Sequence, residues 1–232
     1  MSTAPPAIEA LADDAWLLQL GDTIDAATNA RVHALAAAVR AAAPAWLRDL
    51  VPGYASLGAF FDTSAITADD AREWLLEQFA GLPDTPPPGE TARVVEVPVA
   101  YGDEFGPDLE SAAAELGLSP QVLAQRHAAG DYVVAMIGFA PGFPYLSGLE
   151  PTLALPRLAT PRTLVPAGSV AIGGAQTGIY PRESPGGWRL IGRTPLALFD
   201  PHRTSPALLS PGDRVRFRAI DGHEFTQLAR GT

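Results

Sequence analysis

The sequence predicts an α+β protein of two domains: a ferredoxin-like βαββαβ layer over residues 1–90 and a β-barrel over residues 91–232. Three observations carry this reading. Up to residue 99 the apolar residues switch between the two-residue period of strands and the 3.6-residue period of helices, in the order strand, helix, strand, strand, helix, strand. From residue 131 onward, short apolar runs are separated by glycine and proline turns, as in a closed or folded-over sheet. Hydrophobic residues make up 47% of the 232 and charged residues 18%, the proportions of a globular protein with a buried core.

In chain order, residues 1–12 are small and rich in Ala and Pro and read as frayed. Trp16–Leu20 reads as a strand. A helix over Thr23–Ala42 follows from Val32, Leu35, Ala36 and Val39, which fall on one stripe, and Pro44 stops it. Leu47–Val51 and Ala55–Phe61 read as strands around the Pro52-Gly53 turn. Thr67 is placed to cap a second helix, with Asp69 and Asp70 in its first turn and Trp74, Leu75 and Phe79 on its buried face. The stretch GLPDTPPPG (81–89) ends that helix. Arg93–Val99 is a further strand, whose partner can lie in either half or in both. Beyond the loop YGDEFGPDL (101–109), a helix is expected near Leu109–Leu116, and Ser119-Pro120 supplies a cap and first residue for another that reaches His127. Asp131–Phe139 reads as a buried strand, Ser169–Ile172 and Trp188–Ile191 as short strands, Asp213–Ile220 as a late strand, and Glu224–Leu228 as a last one. No internal repeat is present.

Composition excludes several kinds of chemistry. There is no Cys and no Lys, and all 16 basic residues are Arg. Disulfides, thiolate ligands, Schiff-base lysines and the lysine of a phosphate-binding P-loop are therefore absent. The net charge of −10 argues against general nucleic-acid binding. That charge is uneven: residues 157–232 carry ten Arg against five acidic residues, so an anion is met most readily by the last third. No run of about 20 apolar residues could span a bilayer. The N-terminus lacks the basic and apolar parts of a secretory signal, so a cytoplasmic location without membrane attachment is expected.

Candidate chemistry gathers between residues 138 and 195. His33, His127, His202 and His223 are not at metal-ligand spacing, no metal is expected, and structural or solvated roles fit each. No G-x-S-x-G elbow occurs, and Glu104 with Asp108 reads as a carboxylate pair or as bracing of the 101–109 loop. Phe139, Phe143 and Tyr145 alternate with Pro141, Gly142 and Pro144, giving aromatic walls on a stiff loop. Gln176, Thr177 and Tyr180 follow the Gly173-Gly174 turn and offer amide and hydroxyl groups. Arg157, Arg162, Arg182 and Arg193 are the nearby cations, each able to grip a carboxylate bidentately. The expected site is lined by Phe139, Pro141, Phe143, Gln176, Thr177 and Tyr180, with Arg157 or Arg193 on an anion. Such groups bind, orient and polarise an amide, and none is an obvious general base.

The runs GFAPGFPYLSGL (138–149) and PRLATPRTLVPAGSVAIGGAQTGIYPRESPGGWRLIGRTPLALFD (156–200) resemble the family variously called the 5-oxoprolinase B subunit, allophanate hydrolase subunit 1 and kinase-A inhibitor. YGDEFGPDL is similar to that family's Y-G-G-x-x-G-P-D-L stretch, with Asp103 in place of the second glycine. The resemblance implies a ferredoxin-like first domain and a cyclophilin-like barrel as the second. It implies work as one component, inactive alone, of an enzyme that uses ATP with Mg²⁺ to open 5-oxo-L-proline to L-glutamate. Its implied partners are the C subunit of 5-oxoprolinase (allophanate hydrolase subunit 2-like) and the A subunit, with no covalently bound cofactor. The same family name also covers inhibition of a sporulation histidine kinase and urea-carboxylase-type modules, although this chain has no lysine to biotinylate. Prolyl isomerisation rests on the barrel alone.

Overall fold

Four antiparallel strands and two helices make up the first of the two units into which the chain divides, Met1–Thr91 and Ala92–Thr232. The computed structural model describes residues 5–83 and 93–230. In the first unit, strands β1 (Ala7–Ala12), β2 (Ala15–Gln19), β3 (Leu47–Pro52) and β4 (Ser56–Phe61) form one sheet in the order β1-β2-β4-β3. Helix α1 (Ala26–Ala42) starts after Asp25, whose carboxylate accepts the free amide of Thr28 at 2.8 Å. Helix α2 (Ala68–Ala80) starts after Thr67, whose hydroxyl accepts from Asp70 N at 3.1 Å, with Asp69 and Asp70 in the first turn. Val32, Leu35 and Val39 of α1 and Leu75 and Phe79 of α2 pack against Leu18, Leu57 and Ala59, so both helices cover one face of the sheet.

Two expectations change here. The element order is ββαββα, because Ala7–Ala12, expected to fray, pairs with β2 as an edge strand. Its side chains are mostly exposed, so it carries little apolar signal. The strand read at Arg93–Val99 is β5 (Val94–Tyr101) of the second unit and, among the described residues, pairs only with barrel strands. Residues 84–89 of the expected helix-ending stretch lie outside the described residues, as does the expected domain boundary at 90 and 91.

The second unit is a closed barrel of β5, β6 (Tyr132–Ile137), β7 (Pro144–Ser147), β9 (Ser169–Gly173), β10 (Gln176–Ile179), β12 (Arg189–Arg193) and β13 (Arg214–Ile220), in the order β10-β7-β6-β13-β5-β12-β9. All neighbours are antiparallel except β5 and β13. A separate two-stranded ribbon joins β8 (Arg162–Val165) to β11 (Ser184–Gly186). Alternation along the strands separates two cores. Val170 and Ile172 of β9 and Leu146 of β7 point into the barrel with Val99, Val134 and Phe217, while Ala171 faces outward.

Helices α3 (Leu109–Glu115) and α4 (Pro120–Ala128) pack against β12 and β13. Ser119 caps α4 by accepting from Val122 N at 3.3 Å, with Pro120 at the first position. From the end of α4, fully buried His127 reaches strands on both sides of the lumen. Its Nδ1 lies 2.8 Å from the Tyr101 hydroxyl, its Nε2 2.9 Å from Thr177 Oγ1, and its ring stacks on Phe217. The Thr177 hydroxyl donates to Ala171 O at 2.9 Å, so Nε2 carries the imidazole proton and Nδ1 accepts from Tyr101. His127 is thus a structural plug. The last segment is a helix, α5 (Gly222–Arg230), rather than the strand expected at Glu224–Leu228. Asp221 decides this: its carboxylate accepts from Glu224 N at 2.8 Å, a capping bond that a strand cannot make.

Candidate functional site

The loop between β6 and β7 is bent by two residues in the left-handed region, Phe139 with φ 66° and Gly142 with φ 78°. Gly142 is needed twice over, since a Cβ there would lie 2.8 Å from Phe199 Cβ. Phe139 gains no such relief, and the residue is 63% exposed. A bulky residue in this region is an outlier of the kind that collects at functional sites.

That loop lays its aromatic residues against the outer wall of the barrel. Phe143 is buried at the centre, with ring centroids 5.1 Å from Tyr180, 5.7 Å from Trp188, 4.8 Å from Tyr145 and 5.5 Å from Phe139. Most of these contacts are edge-to-face, the arrangement aromatic quadrupoles favour. Val165 of β8, Ala171 of β9 and Leu190 of β12 complete the apolar floor. Burial raises the pKa of the Tyr180 hydroxyl; the Trp188 backbone, then Arg157 and Arg162, pull the other way. Burial also raises Tyr145, against a smaller opposing effect of Arg157. Both phenols therefore keep their protons at neutral pH and are donors rather than bases.

Cations frame this cluster. The Arg157 guanidinium lies 5.6 Å from the Trp188 ring centroid, within cation–π range. Arg162, at the start of the ribbon, donates from Nη2 to Asp108 Oδ1 at 2.6 Å. Asp108 Oδ2 accepts from Leu190 N at 2.7 Å, so this buried carboxylate ties the 101–109 loop to β12. Asp108 thus braces the loop, while Glu104 is exposed.

Of the residues expected to line the site, Phe139, Phe143, Tyr180 and Arg157 converge. Pro141 is exposed on the same loop, and Gln176 is half-buried at the start of β10. Two others lie elsewhere. Thr177 points into the lumen and binds His127, because it stands one residue out of phase with the outward-facing positions of β10. Arg193 donates from Nε to Ala167 O at 2.7 Å and lies 6.0 Å from the Phe225 ring, away from the cluster. Trp188 is legible in the sequence only as part of a strand, though its place just after Gly186-Gly187 is where a large ring can fold over a turn. Among the described residues, no group of three or more His, Asp or Glu could hold a metal.

Residues 6–209 match the family model described as carboxyltransferase domain, subdomain C and D. The 5-oxoprolinase B subunit of Bacillus subtilis (strain 168) is 40% identical over 228 residues, 94% of each chain. The crystal structure of TTHA0988 is similar with a TM-score of 0.78 and 43% identity, over 90% of this chain and 40% of that longer one. Urea carboxylase of Kluyveromyces lactis, at 20% identity and a TM-score of 0.73, shares the fold over 96% of this chain and 22% of its own.

Proposed function

The chain belongs to the carboxyltransferase subdomain C and D family, and from that membership we propose that it is the B subunit of an ATP-dependent 5-oxoprolinase. The observation that carries the proposal is the relation to the Bacillus subtilis protein, which runs over 94% of both chains. The reaction is the opening of 5-oxo-L-proline to L-glutamate, in which water adds across the ring C–N bond. ATP is a substrate of the assembly. The A and C subunits of that enzyme are the proposed partners, and the cytoplasm is the proposed location. The described residues include no helix long and apolar enough to cross a membrane.

The cluster suits the binding half of that chemistry. Phe139 and Tyr180 stand edge-on at 6.4 Å beside Phe143, and form apolar walls for a flat five-membered ring. The protonated phenol of Tyr180 can donate to a lactam oxygen. No group in the cluster is a proton acceptor of the strength an attacking water needs, so this chain orients and polarises while a partner protein supplies activation. We also read the first unit as a permuted ferredoxin-like layer, with β1 in the edge place of the usual last strand, and the barrel as cyclophilin-like.

The test is 5-oxoproline-dependent ATP hydrolysis by this chain alone and with its candidate A and C subunits. Turnover is expected only in the full mixture. A folded, complete mixture with no turnover on 5-oxoproline would sink the assignment and move the urea-type and kinase-inhibitor readings ahead of it.

A further inference from the structure

The ribbon of β8 and β11 leaves two buried polar atoms without a hydrogen-bond partner, Arg162 Nη1 and Ser184 Oγ. They sit on paired strands, in a register that sets Ser184 opposite Val165 and Gly186 opposite Arg162. Gly186 in turn abuts the Tyr180 hydroxyl, so closely that a Cβ at 186 would lie 2.3 Å from its oxygen. The end of the Tyr180 side chain, the Arg162 position and the edge of the aromatic cluster therefore meet at one place. Arg157 approaches the cluster over the Trp188 ring and has no carboxylate partner among the described residues. The fields of both guanidiniums reach the Tyr180 hydroxyl.

We infer that Arg157 and Arg162 form the anion end of this site, where they hold the ionised carboxylate of an amide-bearing small acid beside the Tyr180 hydroxyl. The substrate class is thereby a lactam that carries a carboxylate, rather than a neutral lactam or urea. Asp108 is the fixed half of the device. It already occupies Arg162 Nη2, which orients the guanidinium and leaves Nη1 unpaired for the ligand. A buried donor left unmade is costly, and a carboxylate oxygen removes that cost. Nη1 is covered, so an anion reaches it only if the ribbon gives way locally. Arg193 donates to Ala167 O and lies against Phe225, which is not part of the aromatic cluster.

This inference rests on the proposed activity, and one experiment separates the two. The KM for 5-oxo-L-proline, kcat and Tm are measured in the reconstituted complex with wild-type chain, Arg157→Gln and Arg162→Lys. Arg157 is exposed and unpaired with any described carboxylate, so Arg157→Gln should fold normally. The expected result is a KM raised at least ~10-fold in both variants, with kcat within about twofold and the Tm of Arg157→Gln unchanged, as for loss of ground-state binding. A KM within about twofold of wild type in both variants overturns the inference. So does a fall in kcat or Tm at unchanged KM, which marks Arg162 as a purely structural partner of Asp108. An inactive wild-type complex rejects the proposed activity itself.

Discussion

Asp103 occupies the left-handed region with φ 46°, in the turn where the resembling family places glycine. An L residue there costs roughly 1–2 kcal/mol, less for Asp than for most because its short side chain tolerates the region. Asp103→Gly removes that strain while loosening the unfolded chain. The net expectation is a gain of about 0.5–1 kcal/mol in denaturant unfolding, without change in the site. An unchanged or lower midpoint would show that relief of the turn does not outweigh the looser unfolded chain. Phe139 bears the same kind of strain for a different reason. Its ring is exposed on the rim of the cluster rather than packed beneath it, so glycine there would relax the backbone and remove a wall of the site.

At the scale of elements, the caps decide where helices begin, and they are also what the sequence shows most plainly. Thr67→Ala removes the only side-chain cap described for α2 and should cost about 1 kcal/mol, read as a lowered urea midpoint. Thr67→Ser should restore most of it, and equal midpoints for all three would mean that the cap contributes nothing. Ser119-Pro120 is equally legible, because capping is local chemistry within three residues. Asp221 carries the same local signal at the head of α5, but the apolar residues Phe225 and Leu228 obscure it, since they suit either a helix or a strand. Edge strand β1 is unreadable for the opposite reason. It buries almost nothing, so it offers no periodic apolar signal. The aromatic loop with Tyr180 and Arg157 is legible as a candidate site, yet its meeting with Trp188 and Arg162 is not. That meeting depends on the ribbon folding back over the outer wall of the barrel, a contact among segments that only the register of β8 and β11 brings together.

For the whole molecule, His127 ties α4 to β5, β10 and β13 through one neutral imidazole. Burial lowers its pKa to about 3, from 6.5. The folded state therefore disfavours the proton while the unfolded state accepts it. This part of the stability is fully present above pH 6.5 and is lost as pH falls from there towards 3, by about 1.4 kcal/mol per pH unit at most. The groups facing the ring are Tyr101 on β5, Tyr132 on β6, Thr177 on β10 and Phe217 on β13; none is a carboxylate that could offset the charge. Urea midpoints at pH 7 and pH 5 should differ more for wild type than for His127→Gln, whose amide can meet both hydroxyls without titrating. Equal differences would remove His127 from the acid response. The parallel pairing of β5 with β13 has a kinetic side as well. Arg93 and Asp213, joined by a hydrogen bond at 2.6 Å, stand 120 residues apart in the chain. The first strand of the barrel thus waits for the last before the wall can shut, and a chain still emerging from the ribosome carries β5 and β6 as two open edges until then. Closure late in synthesis is the cost in time of a wall whose seam joins its two ends.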